Sequence, residues 1–87
     1  MATTNYTLTP DAWTNVGATP LNIQLTNKGS ATGADLVVNS IAPTDLMAAA
    51  LTLRWDGERS MAITLTGQNV YARADGLSGT TVVAVAT

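Results

Sequence analysis

The chain contains no cysteine and no histidine. Without cysteine it can form no disulfide, and without either residue it lacks the ligands of the usual structural zinc sites. The same absences remove the common nucleophile and base of covalent catalysis, because no serine can have a histidine beside it and Lys28 is the only lysine. We therefore predict a non-enzymatic protein with no cofactor and no catalytic or metal-binding residue.

Charged side chains are also scarce. They make up 11% of the 87 residues, where about 25% is usual for a soluble domain. A net charge of −2 argues against a nucleic-acid partner, which needs clustered lysine and arginine. The chain has no apolar run near the roughly 18 residues of a membrane span, and no basic and apolar leader follows Met1. Low charge is typical of a subunit covered by neighbours, and a monomer with a threonine-rich surface is the simpler alternative.

What the sequence does contain is a regular alternation of apolar and polar residues, interrupted by turn residues about every ten positions. This pattern predicts one all-β domain over residues 1–87, a small antiparallel β-sandwich or jelly-roll-like barrel of seven or eight short strands, with residues 1–5 as a flexible arm. The predicted strands are residues 6–9, 12–16, 21–26, 35–39, 51–56, 61–66, 69–73 and 80–86.

Two connections carry more specific predictions. The short Asp56–Arg59 segment between two alternating runs predicts a β-hairpin over residues 51–66. Residues 44–50 contain three alanines behind Thr44, which is a suitable cap, so this segment predicts a helical turn.

The last predicted strand is apolar on both faces. Val83 and Val85 mark one face, but Val82, Ala84 and Ala86 make the other face apolar as well. Such a strand is either central in its own sheet or covered by something else, and an exposed edge of this composition would aggregate. We therefore take Val82, Ala84 and Ala86 as candidate contacts with a neighbouring subunit.

The aromatic residues supply further interface candidates. Trp55 is in phase with Leu51 and Leu53 and is predicted to lie in the core. Trp13 has no clear phase and fits either the core or an interface, where aromatics are enriched. Tyr71 and Arg73 follow in the seventh strand, and Arg73 is expected to form an ion pair with Asp75 at the surface or between subunits. Trp13, Tyr71 and Arg73 therefore join the interface candidates. Aromatics beside amide side chains would also suit a carbohydrate-binding module.

Acidic residues near the predicted hairpin tip offer one alternative site. Asp56 and Glu58, with Asp45 or Asp75 nearby in the fold, could supply oxygen ligands to calcium. Charges at such a tip are more often solvated ion pairs with neighbouring arginines. We therefore predict no metal site here.

Segments near the two ends of the chain resemble small virion proteins of tailed bacteriophages. They are Tyr6–Thr9 with Ala12–Gly17, and Asn69–Ala74 with Gly79–Val83. The resemblance implies a threonine- and alanine-rich structural subunit, made in the host cytoplasm and incorporated into the virion. It implies a homo-oligomer, commonly a trimer, whose other partner is the major capsid protein or another virion protein.

Capsid decoration, in which a cement subunit stabilises the shell, is the leading functional expectation. A tail or fibre adaptor is the first alternative, and a carbohydrate- or host-binding β module is the second. The resemblance includes no motif with a defined chemical role, so it carries no functional residue over to this chain.

Overall fold

A computed structural model of the chain describes residues 3–27, 33–44, 51–75 and 79–87. These residues form eight strands, and none of them is helical. The strands are β1 (Thr3–Leu8), β2 (Thr14–Ala18), β3 (Leu21–Asn27), β4 (Gly33–Asn39), β5 (Leu51–Arg54), β6 (Ser60–Ile63), β7 (Asn69–Asp75) and β8 (Thr81–Ala86).

The strands form two four-stranded antiparallel sheets. Sheet A has the order β1-β8-β3-β6, and sheet B has the order β2-β7-β4-β5. In this order β1 pairs with β8, β2 with β7, β3 with β6 and β4 with β5. The chain is thus an antiparallel double ribbon that doubles back between β4 and β5 and is rolled up so that β3 also meets β8 and β4 meets β7. This is the strand arrangement of a jelly roll, and the predicted fold class is confirmed.

The core lies between the two sheets, because the side chains alternate along each strand and every second one points inward. Its apolar members are Leu8, Val16, Leu21, Ile23, Leu25, Ala34, Leu36, Leu53, Ile63, Val70, Ala72, Ala74, Val83 and Val85. The accessible surface of the subunit is 4809 Å², close to the roughly 4,900 Å² expected for a folded chain of this mass.

The predicted hairpin over residues 51–66 is wrong. β5 pairs only with β4 in sheet B, and β6 pairs only with β3 in sheet A, so the connection crosses from one sheet to the other. Its turn is still tight, with the amide of Arg54 donating to the carbonyl of Glu58 at 2.8 Å. Alternation and turn residues report which side chains are buried, but not which strand is the neighbour.

Two further predictions concern the connection between β4 and β5 and the start of the chain. The helical turn predicted at residues 44–50 falls almost wholly outside the described residues, which stop at 44 and resume at 51. Thr3, Thr4 and Asn5, assigned from the sequence to a flexible arm, are paired with β8 in the structure. No helix in the described part of the chain is long and apolar enough to cross a membrane.

Candidate functional site

The outward side of sheet A carries no ionisable side chain among the described residues. We call this surface the uncharged face. It consists of Thr3, Asn5, Thr7, Asn22, Gln24, Thr26, Ser60, Ala62, Val82, Ala84 and Ala86, which alternate with the inward-facing residues of their strands.

The centre of the uncharged face is β8. The strand lies between β1 and β3, so of the two positions that its sequence allowed, the structure shows the central one. Its inward side chains, which include Val83 and Val85, are buried in the core. Val82, Ala84 and Ala86 point outward and remain half-buried, so three of the interface candidates lie side by side on an accessible surface.

Small side chains leave a shallow hollow beside β8. The hollow has a volume of about 420 Å³, and its outward-facing lining is Asn22, Gln24, Ser60, Ala62 and Ala86. The outward alanine and serine side chains of β6 and β8, the strands that flank β3, are shorter than the amide side chains of β3. An approaching partner would meet methyl groups and amide hydrogen-bonding groups there, without having to desolvate a charge.

The outward side of sheet B is different, because it contains an ion pair that is itself buried. Asp35 on β4 lies directly opposite Arg73 on β7. A guanidinium nitrogen of Arg73 lies 3.0 Å from a carboxylate oxygen of Asp35, and each side chain is 7% exposed. The sequence predicted Asp75 as the partner of Arg73, because recognising Asp35 as the buried partner requires the register between β4 and β7.

The segment between β1 and β2 covers this ion pair. Arg73 Nη1 donates to the backbone oxygen of Pro10 at 3.1 Å, and the Trp13 ring centre lies 5.6 Å from the guanidinium carbon. The amide of Ala74 also donates to the oxygen of Thr9 at 3.1 Å, which fastens the segment to β7. A charged side chain can remain buried here because its hydrogen-bonding groups meet a carboxylate, carbonyls and an aromatic face.

These contacts correct part of the interface prediction. Arg73 is 6% exposed and Tyr71 is 7% exposed, so both side chains are covered within the subunit and neither is placed to contact a partner. Trp13 is half-buried against Arg73. The accessible candidates are therefore Val82, Ala84 and Ala86, with part of Trp13.

Burial raises the pKa of Asp35 above its ordinary value of 3.8. Loss of hydration is the main cause, and repulsion from the carboxylate of Asp75 adds to it. The positive charges of Arg73 and Arg54 act in the opposite direction but do not outweigh them. Asp35 is thus held by its partner in a site that disfavours its charge.

A second ion pair on sheet B is more open to water. Arg54 of β5 and Asp75 of β7 both lie beside Gly33 of β4 in the register, and the pair spans β4 at this glycine. The two side chains meet at 2.6 Å, with exposures of 46% and 20%. A pair as exposed as this contributes little to stability.

The connection after β5 places Trp55 against Arg59. The Trp55 ring centre lies 5.7 Å from the guanidinium carbon, and Arg59 Nε donates to the backbone oxygen of Trp55 at 2.7 Å. Trp55 is half-buried and packs against the core, as its phase predicted. Each tryptophan of the chain therefore has an arginine over its ring.

The described residues contain no group of three or more acidic side chains placed to hold a metal ion. Asp45, one of the calcium ligands considered from the sequence, lies outside these residues. The uncharged face could have been found by reading the polar phase of β1 and β3, where Thr3, Asn5 and Thr7 alternate along one strand. Comparison with models of protein families, with curated proteins and with solved structures found no significant match.

Proposed function

We propose that this protein is a non-enzymatic structural subunit that binds to a larger protein assembly through the uncharged face of sheet A. The observation that carries the proposal concerns the outward side of sheet A, centred on Val82, Ala84 and Ala86. Within the part of the chain that the structure describes, this surface presents methyl, hydroxyl and amide groups and no charged side chain. Protein interfaces have cores depleted of charge in the same way. The absence of histidine and cysteine from the chain supports the non-enzymatic part.

The size of the face indicates how it would be used. Four strands about 4.8 Å apart and about 20 Å long present roughly 400 Å² of flat surface. A standard stable interface covers about 800 Å² on each partner. One face therefore makes a modest contact, and firm attachment requires several copies to bind together or further surface to contribute.

The setting that we propose is a virion, with capsid decoration as the first role to test. A shell presents the same protein surface many times, so many modest contacts add up. The resemblance of the end segments to small virion proteins of tailed phages supports this setting. The jelly roll adds a fold-level analogy, because it occurs in viral capsid domains, although it also occurs in lectins and cupins.

Two alternatives differ in what they require of the surface. A tail or fibre adaptor would use the same uncharged face at another place on the particle. A glycan-binding module would use aromatic faces, but Tyr71 is buried and each tryptophan ring already has a guanidinium within 6 Å. The aromatic residues thus give the glycan alternative less support than the uncharged face gives to protein binding.

Particle incorporation tests the proposal. Ala84→Glu puts a charge at the centre of the face, between Asn5 and Gln24 in the register. Thr66→Glu, in the exposed connection after β6, is the matched control. We expect to find the unmodified protein and the control in phage particles purified from the culture in which they are expressed. The amount of the Ala84→Glu variant in the particles should be lower by about tenfold, which corresponds to a loss of about 1.4 kcal/mol in binding free energy.

Labelling and electron microscopy of the same particles would separate a capsid position from a tail position. Absence of the unmodified protein from purified particles would refute the virion role. Incorporation of Ala84→Glu at the level of the control would refute the use of the uncharged face. Circular dichroism of both variants checks that each is folded.

A further inference from the structure

Each sheet ends in two edge strands, and the four edges are not equally protected. The edges are β1 and β6 in sheet A, and β2 and β5 in sheet B. An edge strand presents backbone N–H and C=O groups that can pair with another chain, and proteins usually block them with short strands, charges, prolines or bulges.

Three of the edges carry such devices. β2 contains a bulge between Asn15 and Gly17, and the amide of Gly17 donates to the side-chain oxygen of Asn15 at 2.9 Å. β5 and β6 have four residues each. β5 also ends in Arg54, and charged residues follow in its connection to β6. These edges offer a partner strand little regular backbone.

β1 has none of these devices. It has six residues, Thr3–Leu8, with no charge, proline or glycine. It pairs with β8 over its whole length without a register shift. Thr3, Thr4 and Asn5 are exposed on both sides of the sheet, so another strand has open access to this edge.

We infer that β1 is a pairing edge, and that it pairs antiparallel with β1 of a second copy to join two uncharged faces into one eight-stranded sheet. This inference rests on the proposed function, since it says how subunits combine before or while they bind the larger assembly. It predicts a two-fold pair as the basic unit.

A second copy fits the edge for two reasons. First, a register centred on Asn5 keeps outward residues opposite outward residues, with Asn5 facing Asn5, Thr3 facing Thr7 and Thr4 facing Tyr6. Every opposed pair is uncharged and capable of hydrogen bonding, so self-pairing meets no like-charge repulsion. Second, the pairing doubles the flat uncharged surface from roughly 400 to roughly 800 Å², the area that a standard interface requires from each partner.

Engineered cysteines can test both the edge and the register, because the natural chain contains no cysteine. In the pair centred on Asn5, the two Asn5→Cys residues lie about 5 Å apart between Cα atoms, within disulfide range. Two Thr3→Cys residues would be four residues out of register, with their Cα atoms about 14 Å apart, and could not be bridged. Gln24→Cys, on β3 of the same face, is the control for random collision.

We expect purified Asn5→Cys protein to form a disulfide-linked dimer under mild oxidation at least about tenfold faster than either Thr3→Cys or Gln24→Cys. In sedimentation velocity, the unmodified protein should show a concentration-dependent dimer, which Asn5→Lys removes and Asn22→Lys, on β3, does not. Equal cross-linking rates at all three positions would overturn the inference, as would a trimer that Asn5→Lys leaves intact. A cross-link from Asn5→Cys to the partner protein alone on whole particles would also overturn it.

The dimer is measured on the purified protein and incorporation is measured on particles, so the two proposals can fail separately. A dimer without particle incorporation would refute the proposed function and leave the pairing edge in place. Incorporation with no dimer would do the reverse.

Discussion

The buried pair of Asp35 and Arg73 provides the sharpest test of what holds sheet B together. Arg73→Met keeps the length of the side chain but removes its charge and its hydrogen bonds to Asp35 and to the oxygens of Pro10 and Ala74. Asp35 would then be a carboxylate with 7% exposure whose guanidinium partner is gone.

Removal of one partner from a buried ion pair typically costs about 3–5 kcal/mol, because the remaining charge is left without water and without its counter-charge. Small domains are stable by about 5–15 kcal/mol, so Arg73→Met should lose a large share of the free energy of unfolding. Arg54→Gln is the matched control, because it breaks a pair on the same sheet whose arginine is 46% exposed. We expect that control to cost less than about 1 kcal/mol.

The double variant Asp35→Leu/Arg73→Met removes both charges. Buried ion pairs replaced by apolar residues are often as stable as the original, so the double variant should be more stable than Arg73→Met alone. The assay is urea unfolding at pH 7 followed by tryptophan fluorescence, with the slope compared among variants to confirm that the same surface is exposed. The reasoning would be refuted if Arg73→Met cost no more than Arg54→Gln, or if the double variant were no more stable than Arg73→Met.

Three further outcomes are expected from the same unfolding assay. Because the pKa of Asp35 is raised, the folded state takes up a proton before the unfolded state does as pH falls from 7 toward 3.8, so the contribution of this group to stability should rise on acidification and level off below about 3.8. Over this range the difference in unfolding free energy between the unmodified protein and Asp35→Asn should shift in favour of the unmodified protein. A shift the other way would contradict the assigned burial. Gly33→Ala should lower the unfolding free energy by more than about 2 kcal/mol, because the added Cβ would overlap the backbone of β5. Gly57→Ala, where the Cβ would meet open space, should change it by no more than about 0.5 kcal/mol. Equal effects would show that β4 and β5 are not so close. Thr81→Val should stabilise the fold by about 1 kcal/mol, because the buried Thr81 hydroxyl has no hydrogen-bond partner among the described residues, and a loss of stability would reveal a partner.

The number of strands was predictable because every strand carries its own alternation or turn signal. Eight predicted runs correspond to eight strands, and the bounds agree best for 21–26, where apolar and polar residues alternate, and for the largely apolar run 80–86. The error at residues 51–66 came from strand pairing, which depends on contacts distant in sequence. Asp56–Arg59 makes a short turn in either case, and only the partners of β5 and β6 distinguish a hairpin from a corner between sheets.

The candidate site was predictable in part for the same reason. Val82, Ala84 and Ala86 share one face of one strand, so their grouping follows from a period of two. The burial of Arg73 was not predicted, because a charged residue in the outward phase looks exposed until the segment that covers it is known. The Thr9 and Pro10 carbonyls that bond to β7 come from a loop whose path no periodicity describes.

The rolled double ribbon has a consequence for the order in which the molecule assembles. β4 and β5 are close in sequence, so their ladder closes the smallest loop, and each ladder outward from it closes a larger one. The ladder between β1 and β8, which aligns Thr3 with Ala86, joins the most distant parts of the sequence. We therefore expect β1 to be the last strand to add and the first to detach, so that it becomes an ordered pairing edge only in molecules whose other strands are already in place.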